Sequence, residues 1–190
     1  MINLEKKQTI SLEKISPSLN SIHVGLGWDA EDSNGNNIDC DVSVFMINEN
    51  NKIPNDGSFV FYNNLTSTDG AVVHQGDNTT GEGDGDDEEI HIELNKVSSD
   101  IIQMIFVVTI HDAEKNNQDF SMVQNAFIRI VNKVNNEELL RYDLTNEYQG
   151  HDSVQIGRLY FDSVEWHFES LGGDEYAFNG GLQTLLNIYN

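Results

Sequence analysis

The chain has 190 residues, with 32 Asp and Glu against 10 Lys and Arg and a formal net charge of −22. A nucleic-acid binder must offer cations that displace counterions from phosphates, and a composition this acidic excludes that partner class. With 38% hydrophobic residues the chain is nevertheless too apolar for an acidic disordered tail, and its length fits a single domain spanning 1–190 with a real core.

Taken in order, Met1 to Lys14 alternates charged and apolar residues and lacks the apolar centre of a secretory leader. Short apolar or alternating runs then recur at Thr9–Leu12, Ile22–Trp28, Asp41–Ile47, Ser58–Tyr62, Ile90–Leu94, Met104–Ile110, Ala126–Val131, Leu139–Leu144, Ile156–Phe161 and Val164–Phe168. Turn signals such as Asn34-Gly35, Asp56-Gly57 and Asp69-Gly70 separate them. Many short strands and few helical patterns predict an all-β fold, a β-sandwich of two mostly antiparallel sheets. Met104–Ile110 is apolar throughout except Thr109, as a central strand covered on both faces would be. One helix is expected at the end, where Leu182, Leu185, Leu186 and Tyr189 share a face that should pack on the sandwich itself. No apolar stretch reaches the length of about eighteen residues that a membrane span needs. The single cysteine, Cys40, excludes an internal disulfide and a thiolate cluster, which predicts a cytoplasmic location.

The acidity is not evenly spread. From Ile15 to Asn95 there are 16 carboxylates and one basic residue, Lys52, a local charge of −15. Within Asp77 to Glu89 seven carboxylates stand without a cation among them. Charge runs are usually solvated loops. Here Gly81, Gly83 and Gly85 allow tight turns that crowd the acids, and crowded carboxylates call for a hard divalent ion such as calcium, which accepts about 6–8 oxygens. The segment is not an EF-hand loop: counted from Asp77, the positions needing Asp or Asn and then Gly hold Thr79, Gly81 and Glu82. Further acids and amides fall at strand ends, namely Asp29, Asp39, Asp41, Asn63, Asn64 and Asp112. Each alone reads as a turn residue.

Catalytic readings are weaker. Paired carboxylates such as Asp84 and Asp86 invite comparison with a metal-dependent hydrolase or anion-processing enzyme, but so dense a cluster gives no carboxylate a distinctive proton. Cys40 lies between Asp39 and Asp41, whose charges disfavour a thiolate. His74 and His111 are candidate bases or ligands for a softer metal, yet no His-x-x-x-His pair supports a zinc site.

Several motifs together resemble the TerD family of bacterial tellurium-resistance and stress proteins. They are Gly25-Leu26-Gly27-Trp28-Asp29, Asp39-Cys40-Asp41-Val42-Ser43, Phe59-Val60-Phe61-Tyr62-Asn63-Asn64, the loop from Gly76 to Glu88, and Phe106-Val107-Val108-Thr109-Ile110-His111-Asp112-Ala113. Asn125-Ala126-Phe127-Ile128-Arg129, Arg141-Tyr142-Asp143-Leu144 and Gly180-Gly181-Leu182 extend the likeness over nearly the whole chain. Cys40 departs from it where a Leu is expected, and the match thins from Glu147 to Gly173. The resemblance implies a β-sandwich that binds calcium through acidic loops at one end and serves a stress response including tellurite resistance. It implies no enzymatic reaction. By motif, the expected ligands are Asp77, Asn78, Asp84, Asp86, Asp87 and Glu88, surrounded by Asp29, Asp39, Asp41, Asn63, Asn64 and Asp112. So many oxygens imply two Ca2+. Expected partners are calcium ions and proteins of a stress-response complex, with no nucleic acid and no integral membrane segment; attachment to a membrane periphery would run through such a partner.

Overall fold

A computed structural model of the chain describes residues 1–29, 37–76, 85–144 and 148–190. The described strands are β1 (Ile2–Asn3), β2 (Thr9–Ser11), β3 (Ser21–Gly27), β4 (Cys40–Ile47), β5 (Phe59–Val60), β6 (Val72–His74), β7 (Glu88–Glu93), β8 (Gln103–Ile110), β9 (Phe127–Asn132), β10 (Glu137–Asp143), β11 (Ser153–Phe161), β12 (Trp166–Ser170) and β13 (Ala177–Phe178). Short helices α1 (Leu12–Ile15) and α2 (Ala113–Asn116) interrupt them, and α3 (Gly181–Tyr189) closes the chain.

They form the expected sandwich. One sheet runs β1-β10-β9-β3-β7-β6, and the other runs β2-β12-β11-β8-β4-β5 with β13 beside β11. The pairings are antiparallel except β1 with β10. The inward positions follow the period of two: Ile22, Val24 and Leu26 of β3 and Ile90 and Ile92 of β7 meet Val42, Val44 and Met46 of β4 in one core between the sheets.

The second sheet is covered on its outer face as well. Phe45, Ile47, Phe59, Ile105 and Val107 pack there under Leu185, with Leu182, Leu186 and Tyr189 alongside. Two-sided burial explains the apolar runs Val44–Ile47 of β4 and Met104–Val108 of β8. The helix is further pinned where Gln155 Nε2 donates to the Tyr189 hydroxyl at 2.8 Å and the Ile53 amide donates to the Tyr189 carbonyl at 2.9 Å.

Among the boundaries that differ from the sequence reading, two do so for clear local reasons. The run Val164–Phe168 starts late, at Trp166, because Asp162 Oδ1 accepts the amides of Val164 and Glu165 at 2.9 and 2.8 Å and holds those residues in a turn. The run Ile90–Leu94 starts early, at Glu88, so a carboxylate occupies an inward strand position.

Candidate metal centre

Gly85 has φ +116°, a conformation that favours glycine, and it turns the chain into β7. The Asp87 amide then donates to the Leu26 carbonyl at 2.8 Å, and Asp87 Oδ2 accepts the Trp28 amide at 2.9 Å. Glu88 continues the inward row of Ile90 and Ile92, so its carboxylate enters the sandwich, where it is 1% exposed. Because β5 pairs with β4 only at Val44 and Phe45, the Val42 amide lies beyond that ladder, and Glu88 Oε2 accepts it at 2.6 Å. His74, at the end of β6, brings Nε2 to 3.7 Å from the same oxygen, with both side chains fully buried. Glu88 Oε1 and His74 Nε2 have no hydrogen-bond partner among the described residues. A carboxylate buried this way is costly unless a proton or a cation compensates it.

The start of β4 adds to this corner. The His111 amide donates to the Asp39 carbonyl at 2.8 Å, joining the start of β4 to the end of β8, and His111 Nδ1 lies 3.6 Å from Asp41 Oδ2. Asp41 is buried and Asp39 half-buried. Tyr62 meets the His111 ring edge-on at 6.1 Å, which brings the segment carrying Asn63 to the same corner. Cys40 faces the core, and burial pushes its thiol well above the ordinary range, with the charges of Asp39, Asp41, Glu88 and Asp87 adding to the shift.

Asp87 is raised too, first by burial, against the lowering influence of the Trp28 amide, and further by Asp86 and Asp29. Asp29 is exposed and accepts from Asn125 Nδ2 at 2.8 Å. The structure thus gathers Asp29, Asp39, Asp41, Asp87 and Glu88 at one rim of the sandwich.

Other expected ligands are engaged elsewhere. Asp86 turns to the outer face of the first sheet, where Arg129 grips it from Nε at 2.7 Å and Nη2 at 3.0 Å. Gly25 makes this possible, since a Cβ there would stand 2.0 Å from Asp86 Oδ2. Asp112, at φ +50°, is exposed and paired with Lys115 at 2.5 Å. Asn64 spends its Nδ2 on the Phe59 carbonyl at 2.6 Å, and Asn63 is exposed. Asp77, Asn78 and Asp84 lie outside the described residues.

Sequence reasoning named His74 only as a candidate base or soft-metal ligand and gave it no strand, because β6 has only three residues and offers no period to read. The role of Arg129 was equally hidden; its signal is the cross-strand pairing of Gly25 with Arg129 on one side and Glu89 on the other.

The comparisons with known proteins agree with this architecture. The TerD domain profile matches residues 1–189. Tellurium resistance protein TerD of Serratia marcescens is 46% identical over 188 residues, covering 99% of this chain and 96% of its own length. General stress protein 16U of Bacillus subtilis (strain 168) is 42% identical over 189 residues, again covering 99% of this chain and 96% of its own length. Among solved structures, a homologue of telluride resistance protein from Streptomyces coelicolor A3(2) superposes with a TM-score of 0.70 at 21% identity, over 89% of this chain and 96% of that one, which supports the fold. With the motifs, the sandwich and these relatives in agreement, the chain belongs to the TerD family of tellurium-resistance and stress-response proteins.

Proposed function

We propose that this chain is a calcium-binding stress-response module, taking two Ca2+ at the rim where β3, β4 and β7 meet, and that it acts by binding and not by catalysis. The observation that carries the reading is the buried carboxylate of Glu88, whose Oε1 has no hydrogen-bond partner among the described residues, beside the converging acids Asp39, Asp41 and Asp87. The donor set is oxygen-rich and anionic, which suits a hard cation. Asp29, Asp39, Asp41, Asp87 and Glu88 would hold the ions, together with Asp77, Asn78 and Asp84, which the sequence motif adds. Bound calcium would supply positive charge that keeps these carboxylates ionised in close company.

The chain's own residues prepare that rim. The Val42 amide orients Glu88, the Trp28 amide orients Asp87, and the His111 amide ties down the backbone of Asp39. Cys40 does not fit a nucleophile's role, because burial and four nearby anions hold it as a thiol. The relatives' names speak of tellurium resistance and general stress, and the proposed role follows them: a calcium-ordered surface presented to proteins of a stress response.

Calorimetry of chelator-stripped protein titrated with CaCl2 tests this, with two equivalents expected. Calcium at one hundred times the dissociation constant should add about 2.7 kcal/mol and raise the melting temperature by roughly 5–10 °C for each site. Zero stoichiometry and an unchanged melting temperature would refute the reading.

A further inference from the structure

On the outer face of the first sheet, away from the sandwich interior, His23 of β3 and His91 of β7 are directly paired across the strands. Their rings stand 5.5 Å apart, centroid to centroid. Glu89 precedes His91 by two residues and therefore shares its face. Its Oε2 lies 3.2 Å from His91 Nε2 and its Oε1 3.8 Å from His23 Nε2. One donor atom from each of the three residues falls within 4.8 Å of the others. His23 Nε2 is buried and makes no aligned hydrogen bond, although Asp86 Oδ2 is 2.7 Å away. We infer that His23, Glu89 and His91 form a binding site for a borderline divalent transition metal such as Zn2+, separate from the acidic rim.

The donor set decides the metal class. Two imidazole nitrogens and one carboxylate are the ligands of open zinc sites and of two-His, one-carboxylate centres, and calcium disfavours imidazole. A single ion about 2.0–2.2 Å from each donor would draw together atoms already 3.2 and 3.8 Å apart by ordinary side-chain adjustment. Both histidines stand on paired strands, so their spacing is set by the ladder and not by a loop. Partial exposure of Glu89 leaves a way in from solvent and a position for water or an exchangeable ligand.

The local charge is permissive. Asp86 and Glu138 face Arg129, so that guanidinium is already compensated twice, at 2.7 and 2.9 Å. Glu89 lies between the two imidazoles, and Asp86 Oδ2, 2.7 Å from His23 Nε2, adds a second negative charge on the His23 side. A second cluster, Asp162, Glu165 and His167, has only one imidazole, and Asp162 is committed to its turn through the amides of Val164 and Glu165. It serves as the internal control.

The test uses the full chain with calcium in excess, titrated with Co2+ as a spectroscopic stand-in for Zn2+. One equivalent should give visible d–d absorption, and Zn2+ should displace it one for one. His91→Ala, and separately His23→Ala, should lose the band and weaken Zn2+ binding by more than the 10–100-fold typical of an outer-shell change. His167→Ala should leave both intact. Circular dichroism and melting temperature establish that each variant is folded; if His23→Ala is not, the milder His91→Gln decides. The inference fails if the wild type gives no band, if the band survives in His91→Ala or His91→Gln, or if calcium abolishes it, which would place Co2+ in the acidic rim.

Discussion

Asp86 and Glu88 are two residues apart, yet the fold treats their carboxylates in opposite ways. Asp86 goes to the outer face, where Arg129 holds it bidentately and Glu138 shares the same guanidinium. Glu88 goes inward, where a backbone amide and a histidine are its neighbours and no lysine or arginine is paired with it among the described residues. One acid is neutralised by the chain's own cation. The other stands where a cation from solution would complete it. The difference teaches how a protein with a net charge of −22 disposes of its repulsion: its few basic residues serve selected acids such as Asp86, and other acids are left to water or to ions.

The largest expected effect comes from breaking the compensated side. Arg129→Ala would take both guanidinium contacts from Asp86, whose side chain is 1% exposed, leaving His23 beside it, and losing one partner of a buried pair costs about 3–5 kcal/mol. Arg129 is itself a quarter exposed, so urea denaturation should show about 3 kcal/mol. A loss below about 1 kcal/mol would mean that solvent already screens Asp86. Arg129→Lys should recover only part of the loss, because a lysine cannot repeat the two-pronged grip.

The inner side should answer differently. Glu88→Gln keeps an oxygen for the Val42 amide but removes the charge, so chelator-stripped protein should stay as stable as the wild type. Calcium affinity should instead fall at least tenfold, which is about 1.4 kcal/mol of the calcium-induced gain. Calorimetry and melting curves with and without chelator read the two halves separately. A large loss without calcium would make Glu88 a structural strut of β4 and weaken the proposed site.

Acid pH sharpens the contrast with a smaller effect. Burial alone would raise Asp86, but contact with His23 and with Arg129 outweighs it and holds the carboxyl below the usual range. Its stabilisation is therefore complete above the unfolded value of about 3.9 and is lost as pH falls through the lower folded value. Asp87 is shifted up, so the folded state takes its proton first, and stability without calcium should rise as pH falls through that raised value toward 3.9. Melting temperature in chelator should thus hold or rise down to about pH 4 and then drop. In Arg129→Ala the drop should be shallower.

How much of this the sequence discloses depends on period. Strands long enough to alternate, such as β3, β4 and β8, are legible, and so is the helix that buries Leu185. The alternation of β7 also places Glu88 inward, but a charged residue in a core row masks the strand's true start. The acids of the rim can be picked out as strand-end residues, whereas their sorting cannot. Whether Asp86 faces out depends on Gly25 leaving room for it and on Arg129 lying across from Gly25, two facts of register between β3 and β9. The isolated His23 and His91 become neighbours only through the pairing of β3 with β7.

The smallest effect bears on Asp112, which stands between the two classes. It is an exposed strand-end acid of the expected ligand group, yet Lys115 occupies it and holds its carboxyl below the usual range. An exposed pair one turn apart adds little to folding, so Lys115→Ala should leave the melting temperature in chelator unchanged. Calcium affinity is the informative quantity. If Asp112 belongs to the calcium-facing acids, removing a cation from its side should tighten binding about two- to threefold at low salt, and the gain should fade as salt screens it. Affinity unchanged at every ionic strength would assign Asp112 to the compensated class with Asp86, and leave Asp29, Asp39, Asp41, Asp87 and Glu88 as the calcium-facing acids of the described rim.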